Sequence, residues 1–295
     1  MEGPVQLSVV IITYNEEANI GRALGSVAPL VSGGKGEMIV VDSGSTDRTV
    51  EIARAHGAKV FVEPWKGYAA QKNSALEKAC GEWILSLDAD ESLEPGLAEE
   101  IQKRLPDLHQ SCKGHSHEWC RTMEQGHTEP TEKLQYLKGA PTGFWIPRKN
   151  FFLGRWIKHG GFWPDPKLRL FRRGVGQFED RLVHEDVKLS GQTGCLSGAI
   201  VHYSYPTISD YIDHMNRYSS LGAEMAFSRG RHSFGVIHIV LRPLATFIYN
   251  YFFRLGFLDG REGLLLYLYH SAYVSWKYAK VWELSRKITP KGTNV

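Results

Sequence analysis

The chain has 295 residues, of which 42% are hydrophobic and 23% charged. That balance suits one α/β domain with an appendage and excludes a globally disordered polymer. The formal charge of +3 is unevenly spread: residues 229–295 carry ten Lys/Arg against three Asp/Glu, a +7 tail that leaves −4 for the rest. Basic tails meet nucleic acid or anionic lipid. Here the basic residues are interleaved with long aliphatic runs and no nucleic-acid motif is present, which disfavours nucleic acid.

Taken in chain order, residues 7–104 alternate strand and helix signals. Val9–Ile12 is a continuous β-branched run, as in a buried parallel strand. It has no basic region before it and is too short for a leader peptide, so the expected location is the cytoplasm. A helical stretch is expected to open at Asn15, followed by a strand over 37–42. Asp47 is placed to cap a helix over 48–56, which Gly57 closes. A strand at 59–62, a helix at 68–80 and a strand at 83–87 follow, and Pro95 begins the next helix. Four strand–helix repeats predict an α/β fold with a mostly parallel central sheet and helices on both faces. Ligands of such sheets bind at the carboxyl ends of the strands, where Thr13, Asp42 and Asp88 fall.

Residues 107–139 break the pattern and read as an inserted excursion. Its His109, Cys112, His115, His117, Cys120 and His127 are zinc-type ligands, but their spacing matches no standard finger. Residues 143–203 turn aromatic and basic, and the chain is expected to be helical from about 207. We therefore divide it into a catalytic domain over 1–205 and an amphipathic helical region over 206–295. Residues 234–255 are the most apolar stretch, yet Arg242-Pro243 interrupts them. Such a run suits a helix lying in a membrane interface better than one crossing it.

The sharpest chemical feature is Asp88-Ala89-Asp90, directly after the apolar run 83–87. Two carboxylates beyond a buried strand are costly unless something cationic satisfies them. Mg2+ or Mn2+ bridging phosphate oxygens to a carboxylate is one solution, and it neutralises a departing diphosphate. A strand ending in Asp42-Ser43-Gly44-Ser45 can reach a nucleoside with carboxylate and backbone groups. Arg169, Arg172 and Arg173 alternate with apolar residues. They read as arginines on one strand edge, able to grip a diphosphate or an anionic acceptor, or else as an exposed basic strand.

Residues 8–16 (SVVIITYNE), 40–47 (VVDSGSTD), 71–74 (QKNS) and 87–90 (LDAD) together resemble the inverting family 2 glycosyltransferases, which have a GT-A fold. The later segments 143–148 (GFWIPR), 167–172 (KLRLFR) and 183–185 (VHE) resemble a narrower group, the lipopolysaccharide core β-1,4-glucosyltransferases, which add glucose to an inner-core heptose. The resemblance implies transfer of glucose from a UDP donor, with inversion, onto a hydroxyl of a lipid-linked glycan. It implies Mg2+ or Mn2+ as cofactor, and peripheral attachment to the cytoplasmic face of the inner membrane. It assigns Thr13, Tyr14, Asn15, Glu16, Asp42, Ser43, Lys72, Asp88, Ala89, Asp90 and Arg169 to the donor. Tyr14 would stack on the base, Asp42 lie near the base or ribose, Lys72 near the diphosphate, and Asp90 hold the metal. Ser43 departs from the pattern, because many members carry a second carboxylate there.

Inverting transfer also needs a general base for the acceptor hydroxyl. Glu179, Asp180, Glu185 and Asp186 are the candidates, with His184 as an alternative, and the resemblance favours Glu185. Two other readings stay open: a polyprenyl-phosphate glycosyltransferase, whose acceptor is a phosphate, and a nucleotide-binding protein without catalysis.

Overall fold

The computed structural model describes residues 6–104, 141–179, 186–230 and 235–288. The excursion over 107–139, with its zinc-type ligands, lies outside the described residues, as do Asp180, His184 and Glu185.

In chain order the elements are β1 (Leu7–Thr13), α1 (Ile20–Val31), β2 (Gly36–Asp42), α2 (Thr49–Ala55), β3 (Lys59–Val62), α3 (Tyr68–Glu77), β4 (Trp83–Asp88), β5 (Glu91–Leu93) and α4 (Pro95–Arg104). Then come β6 (Gly143–Ile146), β7 (Arg148–Phe152), β8 (Arg155–Trp156), β9 (Lys167–Arg172), β10 (Gly176–Phe178), β11 (Val187–Leu189), β12 (Thr193–Cys195) and β13 (Ile200–Tyr205). The chain closes with α5 (Ile208–Ser228), α6 (Arg242–Ile248) flanked by wider turns at Ile237–Leu241 and Tyr249–Phe253, and α7 (Gly260–Ile288). They form two compact units. The first comprises residues 6–104, 141–148, 164–179 and 186–202; the second comprises 149–163, 203–230 and 235–288.

The first unit is built on a seven-stranded sheet in the order β12-β6-β9-β4-β1-β2-β3. Strands β4, β1, β2 and β3 run parallel, as the alternating pattern predicts, while β9 inserts antiparallel between β4 and β6. Both faces are buried, which explains the unbroken apolar runs. Val9, Ile11, Val40 and Leu85 face one cluster with α1 and α4; Val10, Ile39, Val41 and Ile84 face another with α3. The chain passes from α3 to β4 through Gly81. A Cβ there would stand 2.5 Å from Ser8 N, and the Gly81 N–H donates to Ser8 Oγ at 2.8 Å.

Helix α1 starts at Ile20, later than the expected opening at Asn15. The amides of Asn15, Glu16 and Glu17 instead donate to Ser45 Oγ, Thr49 Oγ1 and Asp47 Oδ2. Asn15 adopts the left-handed conformation, with φ 52°. Helix α3 stops at Glu77 rather than Cys80. The short strand β5 was not foreseen; it pairs antiparallel with residues 200–202.

The second unit has its own core of Phe152, Ile157, Tyr211, Leu266 and Tyr267. Beneath it Asp259, 2% exposed, accepts from the amides of Lys158 and His159 and from the Tyr267 hydroxyl. Gly160 packs against that tyrosine so closely that a Cβ would stand 2.2 Å from its ring. Among the described residues no helix is long and apolar enough to cross a membrane.

Candidate active site

The site grows from the point where strand order reverses. Strand β1 lies between β4 and β2, so connections leave to either side and open a crevice at the carboxyl ends. The register puts Ile12 beside Asp88 and Thr13 beside Asp42, which brings the three sequence-marked strand ends to one rim.

Two loops on that rim are stapled together. Asn15 Oδ1 accepts the Thr46 amide at 2.8 Å, and Glu17 Oε2 accepts the Arg48 amide at 3.1 Å. Asp42 is fully buried and its Oδ2 accepts the amides of Gly44 and Ser45 at 2.9 and 2.8 Å. Its other oxygen takes the Ser45 hydroxyl. Asp47 accepts the Thr49 amide at 3.0 Å, but it is not the expected cap: α2 begins at Thr49, one residue later than predicted, so the N-cap position falls to Arg48, which makes no side-chain cap bond. Tyr14, between the stapled segments, is 57% exposed rather than packed in the core. A rigid loop presenting an open aromatic face is suited to stacking on a planar ligand.

Beside them Asp88 sits on a bed of cations. Lys72 Nζ, reaching across from α3, is 2.8 Å from Asp88 Oδ1, and Arg169 Nη2 on β9 is 2.5 Å from Asp88 Oδ2. Arg169 also donates to Glu91 Oε1 at 2.8 Å. Glu91 in turn takes Arg148 at 3.0 Å, and Arg148 donates to Asp165 at 2.7 Å, which Lys167 closes from 2.9 Å. The side chains of Lys72, Arg169 and Glu91 are 8%, 7% and 0% exposed, whereas Asp88 keeps 30% and Asp90 27%. The two carboxylates therefore face the opening while their counter-charges are buried beneath. His202 Nε2 lies 3.1 Å from Asp90 Oδ2.

The ionisation of the rim follows. Burial would push the Asp88 carboxyl up, but Arg169 and Lys72 outweigh it and hold it well below the usual carboxylate range. Burial acts on Asp90 in the same sense and is overcome by the charge and hydrogen bond of His202. Glu16 is pushed above its ordinary value by burial; its Asn19 hydrogen bond opposes this, and the negative Asp90 and Asp47 add to it.

Among the described residues this cluster sets four carboxylates, Asp88, Asp90, Glu91 and Asp165, against four fixed cations, Lys72, Arg148, Lys167 and Arg169. An arriving diphosphate would add negative charge that this balanced cluster leaves unanswered. A divalent cation corrects that imbalance, and the Asp90 carboxylate with the His202 imidazole is a fitting pair of donors. Among the described residues no three His, Cys, Asp or Glu side chains converge as a closed cage. Among the described residues, four buried polar groups on this unit also lack a protein partner: Thr13 Oγ1, Ser43 Oγ, the amide of Gln71 and Arg169 Nε. Such groups call for water or ligand.

Arg172 and Arg173 do not join Arg169. Three residues along a strand reverse the face, so Arg172 pairs with the partly exposed Glu82 at 2.5 Å and Arg173 Nε donates to Gly81 O. Nor is β9 an edge; it is an interior strand. Glu91, Arg148, Asp165 and His202 were not singled out in the sequence. Glu91 had a signal, a third acid three residues past Asp88. His202 had none, because it lies 112 residues from Asp90.

The family model described as "Glycosyl transferase family 2" matches residues 8–176. An uncharacterized glycosyltransferase of Rickettsia typhi is 30% identical over 291 residues, 96% of this chain and 88% of that protein. The lipopolysaccharide core biosynthesis glycosyltransferase LpsC of Rhizobium meliloti is 28% identical over 86% of this chain and 82% of its own length. A crystal structure of glucosyl-3-phosphoglycerate synthase from Mycobacterium tuberculosis, in complex with Mn2+, uridine-diphosphate-glucose and phosphoglyceric acid, is similar to part of the chain. It is 33% identical, covers 34% of this chain and 39% of that one, and gives a TM-score of 0.30.

Proposed function

We propose, from the premise that the chain belongs to glycosyl transferase family 2, that it moves glucose from a UDP donor onto a hydroxyl of a lipid-linked glycan such as lipopolysaccharide inner core. The observation that carries the donor half is the pair of open carboxylates, Asp88 and Asp90, at the strand-order switch above buried Lys72 and Arg169. The acceptor half rests on the similarity to LpsC, which its name places in lipopolysaccharide core biosynthesis.

In this reading the chain's own groups divide the work. Tyr14 stacks on the base and Ser43 meets the nucleoside through a hydroxyl that lacks a protein partner, while Asp42, fully buried and bonded to the amides of Gly44 and Ser45, shapes the loop rather than touching the donor. Asp88, held by Lys72 and Arg169, fixes the nucleoside side of the diphosphate. Asp90 and His202 hold a Mg2+ or Mn2+ ion, which when bound neutralises charge developing on the leaving diphosphate. Glu185, outside the described residues, takes the acceptor proton as the new glycosidic bond forms and the sugar–phosphate bond breaks. Asn15 and Glu16 act through geometry, because their amides lock the loop that carries Tyr14.

A thermal-shift screen of UDP-glucose and other nucleotide sugars, with and without Mn2+, tests the donor half. The true donor raises the unfolding midpoint by mass action, by an amount equivalent to roughly 2–3 kcal/mol at about a hundredfold excess over Kd. A screen in which no nucleotide sugar shifts the midpoint, with or without metal, overturns the reading.

A further inference from the structure

We infer that the second unit carries a binding site for an anionic saccharide, a sugar ring bearing a phosphate or carboxylate, on one face of the β7–β8 hairpin. Phe151 pairs with Trp156 and Phe152 with Arg155, across a turn in which Leu153 and Gly154 both have positive φ, 50° and 79°. Two such residues in a row make the tight turn that matches strand twist, and they pin the register. The Ile157 amide donates to Asn150 O at 3.0 Å, so the pairing runs on and brings Lys149 opposite Lys158.

Side chains alternate along a strand, so the hairpin has two faces. Phe152 and Ile157 belong to the core of the unit. Lys149, Phe151, Trp156 and Lys158 share the other face. There the Lys149 and Lys158 ammonium groups each stand 4.5 Å from the centroid of the Trp156 ring. Trp163 meets that ring edge to face, with centroids 5.2 Å apart and planes at 87°. Both indoles are half-buried and Lys158 is exposed. Among the described residues no carboxylate pairs with the Lys158 ammonium. Like charges facing each other across a hairpin are a cost, and an anion drawn to Lys158 lowers it. Trp156 Nε1 is enclosed and has no protein partner, a state that calls for an oxygen of water or ligand.

The chemistry of this corner selects its occupant. A bare phosphate would use the lysines and ignore the indoles, and a neutral sugar would do the reverse. A pyranose has an apolar C–H face and a rim of hydroxyls, which suits indoles that are apolar on their faces and polar at their N–H. A phosphate or carboxylate on that ring is answered by an ammonium group. Reading the sugar as part of the acceptor glycan rests on the transfer proposed above; the binding itself does not.

The test is titration calorimetry of the full chain with glucose 6-phosphate, glucose and inorganic phosphate as probes, each with and without saturating UDP and Mn2+. Wild type is expected to bind glucose 6-phosphate at least about tenfold more tightly than glucose or phosphate, and UDP should not displace it. Lys158→Gln should weaken glucose 6-phosphate by about fivefold and leave glucose unchanged. Trp163→Leu should weaken both sugars alike, by about fivefold. Should that variant misfold by circular dichroism, Lys158→Gln decides alone. Inorganic phosphate bound as tightly as the sugar phosphate overturns the site, as does an affinity for glucose 6-phosphate unchanged in Lys158→Gln. Displacement by UDP also overturns it, because the probe would then lie among the donor groups. Release of UDP from UDP-glucose by the wild type is followed in parallel. If none is released while glucose 6-phosphate still binds, the transfer reading falls and the site stands.

Discussion

Glu91 holds Asp88 from two directions. Its Oε2 accepts the Asp88 amide at 3.0 Å, and its Oε1 shares the Arg169 guanidinium with Asp88 Oδ2. Glu91 is wholly buried, so removing it leaves Arg148 and Arg169 without compensation. Glu91→Ala should destabilise the fold by about 3–5 kcal/mol. Glu91→Gln keeps the shape and should remain folded, with donor turnover reduced by at least about tenfold because Arg169 is no longer shared. Urea midpoints and UDP-release kinetics decide. A Glu91→Gln enzyme with wild-type kinetics would mean that Lys72 and Arg169 position Asp88 without the Glu91 charge.

Asp90 and His202 should behave as a pair toward metal. Asp90→Asn and His202→Ala are each expected to weaken Mn2+ binding in the presence of UDP by at least about tenfold, since loss of a ligand should cost no less than loss of its supporting contacts. Both variants should keep the unfolding midpoint of the metal-free protein to within a few degrees. Titration calorimetry with Mn2+ is the measurement, and a His202→Ala protein with unchanged affinity would remove His202 from the site.

Glu63 gives a pH signature. It follows β3 and joins Lys78 at 2.6 Å, Ser74 at 2.7 Å and Lys66 at 2.9 Å. The hydrogen bonds of Lys78, Ser74 and Lys66 lower its carboxyl from 4.5 to about 2. A depressed folded-state value stabilises above the unfolded value and is lost as pH falls through the folded one. The contribution is therefore full above pH 4.5 and disappears toward pH 2. Lys66 is 45% exposed, so screening reduces the effect and roughly 1–2 kcal/mol is expected at neutral pH. The stability gap between wild type and Glu63→Gln should narrow steadily as pH is lowered from 5 or so to 2. A gap independent of pH would mean that packing, not charge, sets it.

Glu185 is assigned the acceptor proton, and its test does not depend on its placement. A sugar hydroxyl is a poor nucleophile at neutral pH, and a positioned base contributes about 10² to 10⁴ in rate. Glu185→Gln should bind donor as wild type does and lose at least about a hundredfold in transfer. If Asp186→Asn or His184→Ala is the variant that fails instead, the base is that neighbour.

What the sequence made legible was whatever lay local to a strand end. Thr13, Asp42 and Asp88 were readable because a parallel sheet aligns carboxyl ends whatever the loops do. Asp47 was readable in part: it takes an amide two residues on, that of Thr49, but the helix starts one residue later than expected and Arg48 holds the N-cap position. The bed beneath Asp88 was not, because Lys72, Arg148 and Arg169 come from separate elements and meet only through sheet order. The three arginines of 169–173 misled for a related reason. Their spacing looked like one edge, while strand parity divides Arg169 from Arg172 and β9 is interior. The late start of α1 was hidden too, since the acceptors that draw the amides of residues 15–17 away from a helix stand about thirty residues on, at Ser45, Asp47 and Thr49.

Asp259 should be the most sensitive acid of the second unit. Both its oxygens are used: Oδ1 accepts the Lys158 amide at 3.1 Å and meets His159 Nδ1 at 2.9 Å, and Oδ2 accepts the His159 amide at 2.9 Å and the Tyr267 hydroxyl at 3.2 Å. The chain thereby ties residues 158–159 to the start of α7. Asp259→Ala strands several buried donors, each costing about 1–3 kcal/mol, so a total loss of roughly 3–5 kcal/mol is expected. Asp259→Asn keeps one acceptor oxygen but turns an amide group toward existing donors, and should fall between that value and wild type. Arg155→Ala serves as the contrast. Its pair with Glu262 is 3.6 Å long and 47% exposed on the arginine side, so its removal should change stability by under about 1 kcal/mol. Amide hydrogen exchange on α7 reads the effect in this unit directly, because amides there should lose protection in Asp259→Ala and keep it in Arg155→Ala. Equal protection in the two variants would mean that the Tyr267 cluster holds this unit together without the carboxylate.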